Sequence, residues 1–209
     1  MGKIFVFDHP LVQHKISKMR DKNTTTKDFR DLAKEIGILM AYEATKEMPL
    51  EPVEIETPIA KATVNMLTGE QPVIVPILRA GLGLVDSMLT VLPNGHVGHV
   101  GMARNPETHM PEEYYCKLPD RLEQRKIFIV DPMLATGGSA IDAIDLVKRK
   151  GGKDITFICL LASQEGLDAV SKAHPDVDIY AAAKDEKLNE NAYIVPGLGD
   201  AGDRLYGTL

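Results

Sequence analysis

The alternation of apolar and polar positions changes near residue 71. Upstream, Ile4 to Phe7 reads as a short strand or arm, and Pro10 opens a helix running to about Asp21. Thr25 with Asp28 three residues later is a capping signal, and Phe29, Leu32, Ile36, Leu39 and Met40 recur at helical spacing. A second helix is therefore expected, ending before Pro49. Val53, Ile55 and Thr57 alternate with Glu54 and Glu56, the pattern of an exposed edge strand.

From Gln71 the apolar positions become continuous. PVIVPIL (Pro72–Leu78), KIFIVD (Lys126–Asp131), DITFICLL (Asp154–Leu161) and the shorter Val177–Ala181 read as strands covered on both faces. Helices are predicted between them, over about Leu82–Leu92, Ser139–Lys150 and Glu165–Ala173. Apolar strands alternating with helices imply α/β architecture with a parallel sheet flanked by helices. RNPETHMPEEYYCKLPDRL, from Arg104 to Leu122, is polar and aperiodic, and is expected to be a long loop serving as lid, binding loop or arm. His96 and His99 fall in a probable strand, where a three-residue offset sends them to opposite faces and offers no metal site.

Composition narrows the class. With 44% hydrophobic and 26% charged residues the chain is an ordinary globular protein, not a fibrous or disordered one. Its net charge of −6 carries none of the basic excess that a nucleic-acid partner requires. Cys116 and Cys159 are too few and too far apart for a disulfide framework or a zinc site, and they suit a reducing cytoplasm. The first apolar run ends at Asp8, and no stretch approaches the ~20 residues that cross a bilayer. A soluble, cytoplasmic chain without a membrane partner is the expectation.

Ligands of open parallel sheets gather at the carboxyl ends of the strands. Two turns there are candidates: Arg79-Ala80-Gly81-Leu82-Gly83, and Asp131-Pro132-Met133-Leu134-Ala135-Thr136-Gly137-Gly138-Ser139. In the second, small residues let main-chain N–H groups wrap a phosphate, Thr136 and Ser139 add hydroxyls, and a helix N-terminus adds partial positive charge. The plainer alternative is a strand–loop–helix turn with Ser139 as the N-cap. No P-loop is present. Gly197-Leu198-Gly199-Asp200-Ala201-Gly202 matches GxGxxG by letter, but the seven residues after Gly202 leave no room for the helix and strand of a dinucleotide fold.

VDPMLATGGS (Val130–Ser139) resembles the motif by which type I phosphoribosyltransferases bind 5-phospho-α-D-ribose 1-diphosphate (PRPP). The wider family has two acids at the strand end. Here Pro132 replaces the second, as in the uracil-specific branch. PILRAGLGL (Pro76–Leu84), GMARNPET (Gly101–Thr108), YYCKLP (Tyr114–Pro119) and YIVPGLGDAGDRLYGT (Tyr193–Thr208) resemble the same branch in the same order, as does AYEAT around Glu43.

The resemblance implies the type I phosphoribosyltransferase fold in one domain over 1–209. Residues 1–50 would form an N-terminal arm and helices, 71–182 the core sheet, and 183–209 a base-binding hood. It implies conversion of uracil and PRPP to UMP and diphosphate in pyrimidine salvage, with Mg²⁺ held through PRPP and water rather than by direct protein ligands. PRPP would contact Arg79, Arg104, Asp131, Pro132, Met133, Leu134, Ala135, Thr136, Gly137, Gly138, Ser139 and Asp200. Thr136–Ser139 would cradle the 5′-phosphate, Asp131 the ribose hydroxyls, and Arg79 and Arg104 the diphosphate. Uracil would meet Ile194, Gly199, Asp200 and Ala201. Arg79, Arg104 and Asp200 are the implied catalytic residues, with GTP as an allosteric activator and a homodimer or higher homo-oligomer as the assembly.

Other readings stay open at this point. Arg79 could form a surface ion pair, Arg104 could be a solvated charge, and Asp200 could simply form a turn. A PRPP-sensing regulator that binds RNA or other proteins with little catalysis shares the fold, and a sister transferase could act on a different base, such as a purine. The acidic charge opposes the first of these, and GLGDAGD favours uracil over the second.

Overall fold

The structure is a computed structural model that describes residues 2–104 and 111–208. The chain begins with β1 (Ile4–Val6), α1 (Pro10–Arg20) and α2 (Thr26–Ala44). Pro10 sits in the first turn of α1, where a missing N–H removes no helical bond. The Thr25 hydroxyl caps α2, accepting from the Asp28 N–H at 3.2 Å. β2 (Glu51–Glu56) and β3 (Lys61–Met66) form an antiparallel hairpin separate from the main sheet.

The core follows with β4 (Val73–Leu78), a 3₁₀ turn (Ala80–Leu84) and α3 (Val85–Val91). Next come β5 (His96–Val97), β6 (His99–Arg104), β7 (Pro111–Lys117), β8 (Lys126–Val130) and β9 (Met133–Leu134). After these lie α4 (Gly138–Arg149), β10 (Asp154–Ser163), α5 (Gln164–Ala173) and β11 (Asp178–Asp185). β12 (Lys187–Leu188), β13 (Ile194–Val195) and α6 (Ala201–Tyr206) complete the chain.

The main sheet runs β1-β11-β10-β8-β4-β6-β7, with β5 beside β4 and β9 beside β10. Every pairing in it is parallel except β6–β7. The period-2 alternation of the buried strands divides the core in two. Ile74, Phe128 and Ile158 pack with α1, α2 and α3 on one face. Val73, Val75, Ile127, Ile129 and Phe157 pack with α4 and α5 on the other. Helices on both faces cover all but the strand ends, so the carboxyl ends of β8 and β4 are where a ligand can reach the sheet.

Three expectations need correction. The stretch from Arg104 to Leu122 is not a long loop: β7 pairs with β6, Arg104 opposite Pro111. An edge strand with solvated side chains needs no apolar alternation, and residues such as Glu113 and Lys117 therefore gave no signal. The lid expected from this region falls largely on 105–110, outside the described residues. The helix expected over Leu82–Leu92 is a 3₁₀ turn followed by the shorter α3, because the glycine-rich segment tightens first. His96 and His99 belong to two different short strands, β5 and β6, so the one-strand premise for them does not hold.

Candidate active site

β8 delivers Asp131 to the carboxyl edge of the sheet. Its N–H donates to the Ile158 carbonyl at 3.1 Å, and the Pro132 carbonyl accepts from Leu160 and Leu161, each at 3.0 Å. The Asp-Pro step therefore stays pinned to β10 although proline supplies no donor. Asp131 touches the solvent of a cleft, but its carboxyl is largely dehydrated. Burial pushes its pKa up to about 7, the Met133 N–H opposes that rise, and the charge of Asp200 adds to it. Met133 donates to Asp131 Oδ1 at 3.3 Å. Leu134 is buried among α4 and α5, which leaves its main chain as what it can offer a ligand.

The turn from Ala135 to Ser139 leads into α4. Gly137, not Ser139, is the N-cap, and it makes no side-chain capping bond. The first turn of α4 also carries no acidic residue. A helix N-terminus left without a capping side chain or carboxylate is disposed to accept an external anion. Gly137 has φ +87°, and a Cβ there would lie 3.1 Å from Ala169 Cβ and 3.2 Å from the Gly166 carbonyl. Only glycine combines that backbone with such close packing on α5. Ser163, the buried N-cap of α5, fixes the turn from below: its hydroxyl donates to the Ala135 carbonyl and accepts from the Gly166 N–H at 2.8 Å.

The turn after β4 lies alongside. The Leu78–Arg79 peptide bond is cis, and the Arg79 side chain is exposed. A Cβ on Gly81 would fall 2.4 Å from the Val130 carbonyl, so the absence of a side chain lets this turn rest directly on the end of β8. The Arg79 carbonyl accepts from the Leu82 N–H at 3.2 Å and from the Tyr206 hydroxyl at 3.1 Å. Arg104 ends β6, and its side chain lies outside what is described.

The last segment folds over this edge. Ile194 is buried in β13, and the next peptide bond, Val195–Pro196, is also cis. Asp200 caps α6, accepting from the Asp203 N–H at 2.9 Å, so the turn-forming reading of Asp200 holds. That capping role does not remove it from the site. A cleft of about 360 Å³ is lined by Ala80, Asp131, Met133 and Ala135 on one side, and by Ile194, Gly199, Asp200, Ala201 and Gly202 on the other. Seven of the sequence-derived candidates thus share one cavity. The Arg79 side chain and Thr136–Ser139 do not line it; they flank it on the two adjoining turns.

Sequence reading missed several parts. Asn191, Ala192 and Tyr193 also line the cleft. Ser163, three residues before Gly166 at a strand–helix junction, carried a legible capping signal. Tyr206, Arg204, Arg20 and Asp185 carried none, because their contacts reach across more than 120 residues or meet main chain. Among the described residues no group of three or more His, Cys, Asp or Glu could hold a metal ion.

A family model described as uracil phosphoribosyltransferase matches residues 6–208. The uracil phosphoribosyltransferase of Geobacillus sp. (strain WCH70) is 60% identical over 208 residues, covering all of both chains, and that of Bacillus velezensis is 59% identical over the same span. The solved structure of the AQ2163 protein from Aquifex aeolicus is similar at 40% identity, with a TM-score of 0.90 over 97% of each chain. Adenine phosphoribosyl transferase from Trypanosoma brucei shares the fold, at 12% identity and a TM-score of 0.61, over 92% of this chain and 88% of that one.

Proposed function

The chain belongs to the uracil phosphoribosyltransferase family, and from that premise we propose how its own residues divide the reaction. The enzyme is a pentosyltransferase that joins uracil to the ribose 5-phosphate of PRPP, giving UMP and diphosphate in pyrimidine salvage. One observation carries the assignment of residues: a single cleft joins the Asp131 strand end to the segment 194–202, with an uncapped helix N-terminus beside it.

The 5′-phosphate belongs at the start of α4, where the N–H groups of Gly138 and Ser139 and the hydroxyls of Thr136 and Ser139 are available as donors. Asp131 accepts hydrogen bonds from the ribose hydroxyls, which favours its ionised form once the sugar is bound. Arg79 and Arg104 face the diphosphate and stabilise the charge that gathers on it as the bond to C1′ lengthens. Uracil offers acceptor, donor and acceptor along O2, N3–H and O4. Main chain at Ile194, Gly199 and Ala201 supplies the complementary order, and cytosine would leave those groups unpaired, a mismatch that can discriminate by ~10⁴. Asp200 lines the cleft with its Oδ1 engaged by the Asp203 N–H, and it is the residue we assign to take the N1 proton.

Phosphoribosyltransferases generally use Mg²⁺ to bind PRPP. The donor set here fits an ion held mainly by the diphosphate and water, since Asp131 and Asp200 are the two cleft carboxylates and no larger ligand cluster accompanies them among the described residues. When bound, the ion neutralises charge on the leaving diphosphate. A homo-oligomer is supported by Phe5 and Tyr42, exposed apolar side chains that line one surface groove with Phe7, Val12 and Leu39, on or next to β1, α1 and α2. GTP activation rests on the resemblance alone. No described helix is long and apolar enough to cross a membrane, and the two cysteines are free, which supports a cytoplasmic location.

The test is a spectrophotometric assay of UMP formation from uracil, PRPP and Mg²⁺, run with and without GTP and beside cytosine and adenine. Uracil alone should turn over. Arg79→Ala should lower kcat by about 10²–10³ while circular dichroism stays unchanged. Unaltered kinetics would remove Arg79 from the mechanism.

A further inference from the structure

The main chain from 197 to 199 is held by side chains from the far end of the sequence. Arg20, the last residue of α1, forms a two-pronged pair with Asp185 at the end of β11: Nη1 to Oδ2 and Nη2 to Oδ1, both 2.7 Å. The same Nη1 donates to the Gly197 carbonyl at 2.8 Å, and the Gly197 N–H donates to Asp185 Oδ2 at 2.9 Å. One ion pair thus grips Gly197 through both its carbonyl and its amide. Gly197 has φ +66°, and a Cβ there would meet the Ile194 carbonyl at 2.1 Å, so the turn is closed tightly onto Ile194. Arg204 returns from α6 in the opposite sense, donating to the Leu198 carbonyl at 2.8 Å, to the Asp21 carbonyl at 2.7 Å and to the Met19 carbonyl.

We propose that Arg20 and Asp185 are positioning residues of the base site, setting the direction of the 197–199 main chain although neither lines the cleft. The inference rests on the reading of 194–201 as the base site. A pocket that recognises its ligand through main-chain groups cannot tune their direction by changing its own side chains. Contacts from outside the segment must fix that direction, and a planar guanidinium gripping a carboxylate and a peptide together does so. Stability alone is a weak reason for the pair. Asp185 is 7% exposed, and taking two charges out of water offsets much of what their attraction returns.

Two variants of the full chain test this: Arg20→Lys, which keeps the charge but loses the fork, and Arg20→Met/Asp185→Leu, which removes both charges without stranding either. The KM for uracil is expected to rise about tenfold or more in both. PRPP affinity by calorimetry should stay within about twofold, and kcat should fall less than KM rises. A KM for uracil at the wild-type value in either folded variant overturns the proposal, as does a parallel weakening of uracil and PRPP. If the double variant does not fold, Arg20→Lys alone decides by the same criteria. Wild-type protein that makes no UMP from uracil and PRPP would instead sink the base-site reading. Wild-type activity with unmoved variant constants sinks only the positioning role.

Discussion

The turn after β8 and the turn before α6 present main chain to the same cleft, yet they are held by opposite means. The first is anchored locally and through the sheet. Asp131 and Pro132 bond to β10, Ser163 holds Ala135, and Gly137 packs on α5. All of these partners lie within about 40 residues in sequence, on the strand and helix that follow. The second depends on α1, 165 to 185 residues away, through Arg20 and Arg204. Arg204 also stacks on Phe29 of α2, with its guanidinium 4.4 Å from the ring centroid. On the assignment proposed above, the phosphate turn is built into the α/β core. On the same assignment, the base segment would rest on α1, at the far end of the sequence.

The largest effect is expected at Gly137. Gly137→Ala places a Cβ against α5 at a positive φ, a strain of roughly 1–3 kcal/mol, and should weaken PRPP affinity roughly 10- to 100-fold. Calorimetry with PRPP and Mg²⁺ reads this directly, and an unchanged affinity would break the assignment of this turn to the 5′-phosphate. Next is Arg204→Met, which keeps packing on Phe29 but removes the guanidinium's bonds to the Met19, Leu198 and Asp21 carbonyls, of which Asp21 keeps a bond from the Thr24 N–H. It should raise the KM for uracil several-fold and lower Tm by about 10 °C or more, since hydrogen bonds to a charged group contribute ~1.5–3 kcal/mol each. If PRPP affinity falls as much as uracil affinity, the two turns are not independently held.

The smallest effect concerns Asp131, and it has a definite sign. Its pKa in the fold is about 7, against an ordinary carboxyl near 4. Between those values the folded chain keeps a proton that the unfolded chain has released, so stability falls as pH rises from about 4 to about 7 and stays lower above. Asp131→Asn has no such loss. Its Tm should match wild type near pH 4.5 and exceed it by a few degrees at pH 8. PRPP affinity of the wild type should improve through pH 7 as the carboxylate forms, with a flatter profile for the variant. A pH-independent Tm difference would show that Asp131 is not dehydrated in the free enzyme.

The buried strands of the core were legible because a strand covered on both faces must be apolar throughout, as in Val73–Leu78 and Lys126–Val130. The capping of α2 by Thr25 was legible for a similar local reason. β7 was not, because an edge strand can be polar. Ser139 was open as an N-cap from sequence alone. Packing against α5 made Gly137 the cap instead.

By itself the sequence determined the α/β architecture and the glycine-rich turn after β8, since apolar periodicity and backbone freedom act over a few neighbouring residues. Its ordered motifs also pointed to the family that the comparisons show. Tertiary structure decided how the segment before α6 is oriented. Arg20, Asp185 and Arg204 bond to main-chain carbonyl and amide groups that nearly every residue type possesses, and a contact of that kind leaves almost no mark on the identity of its partner.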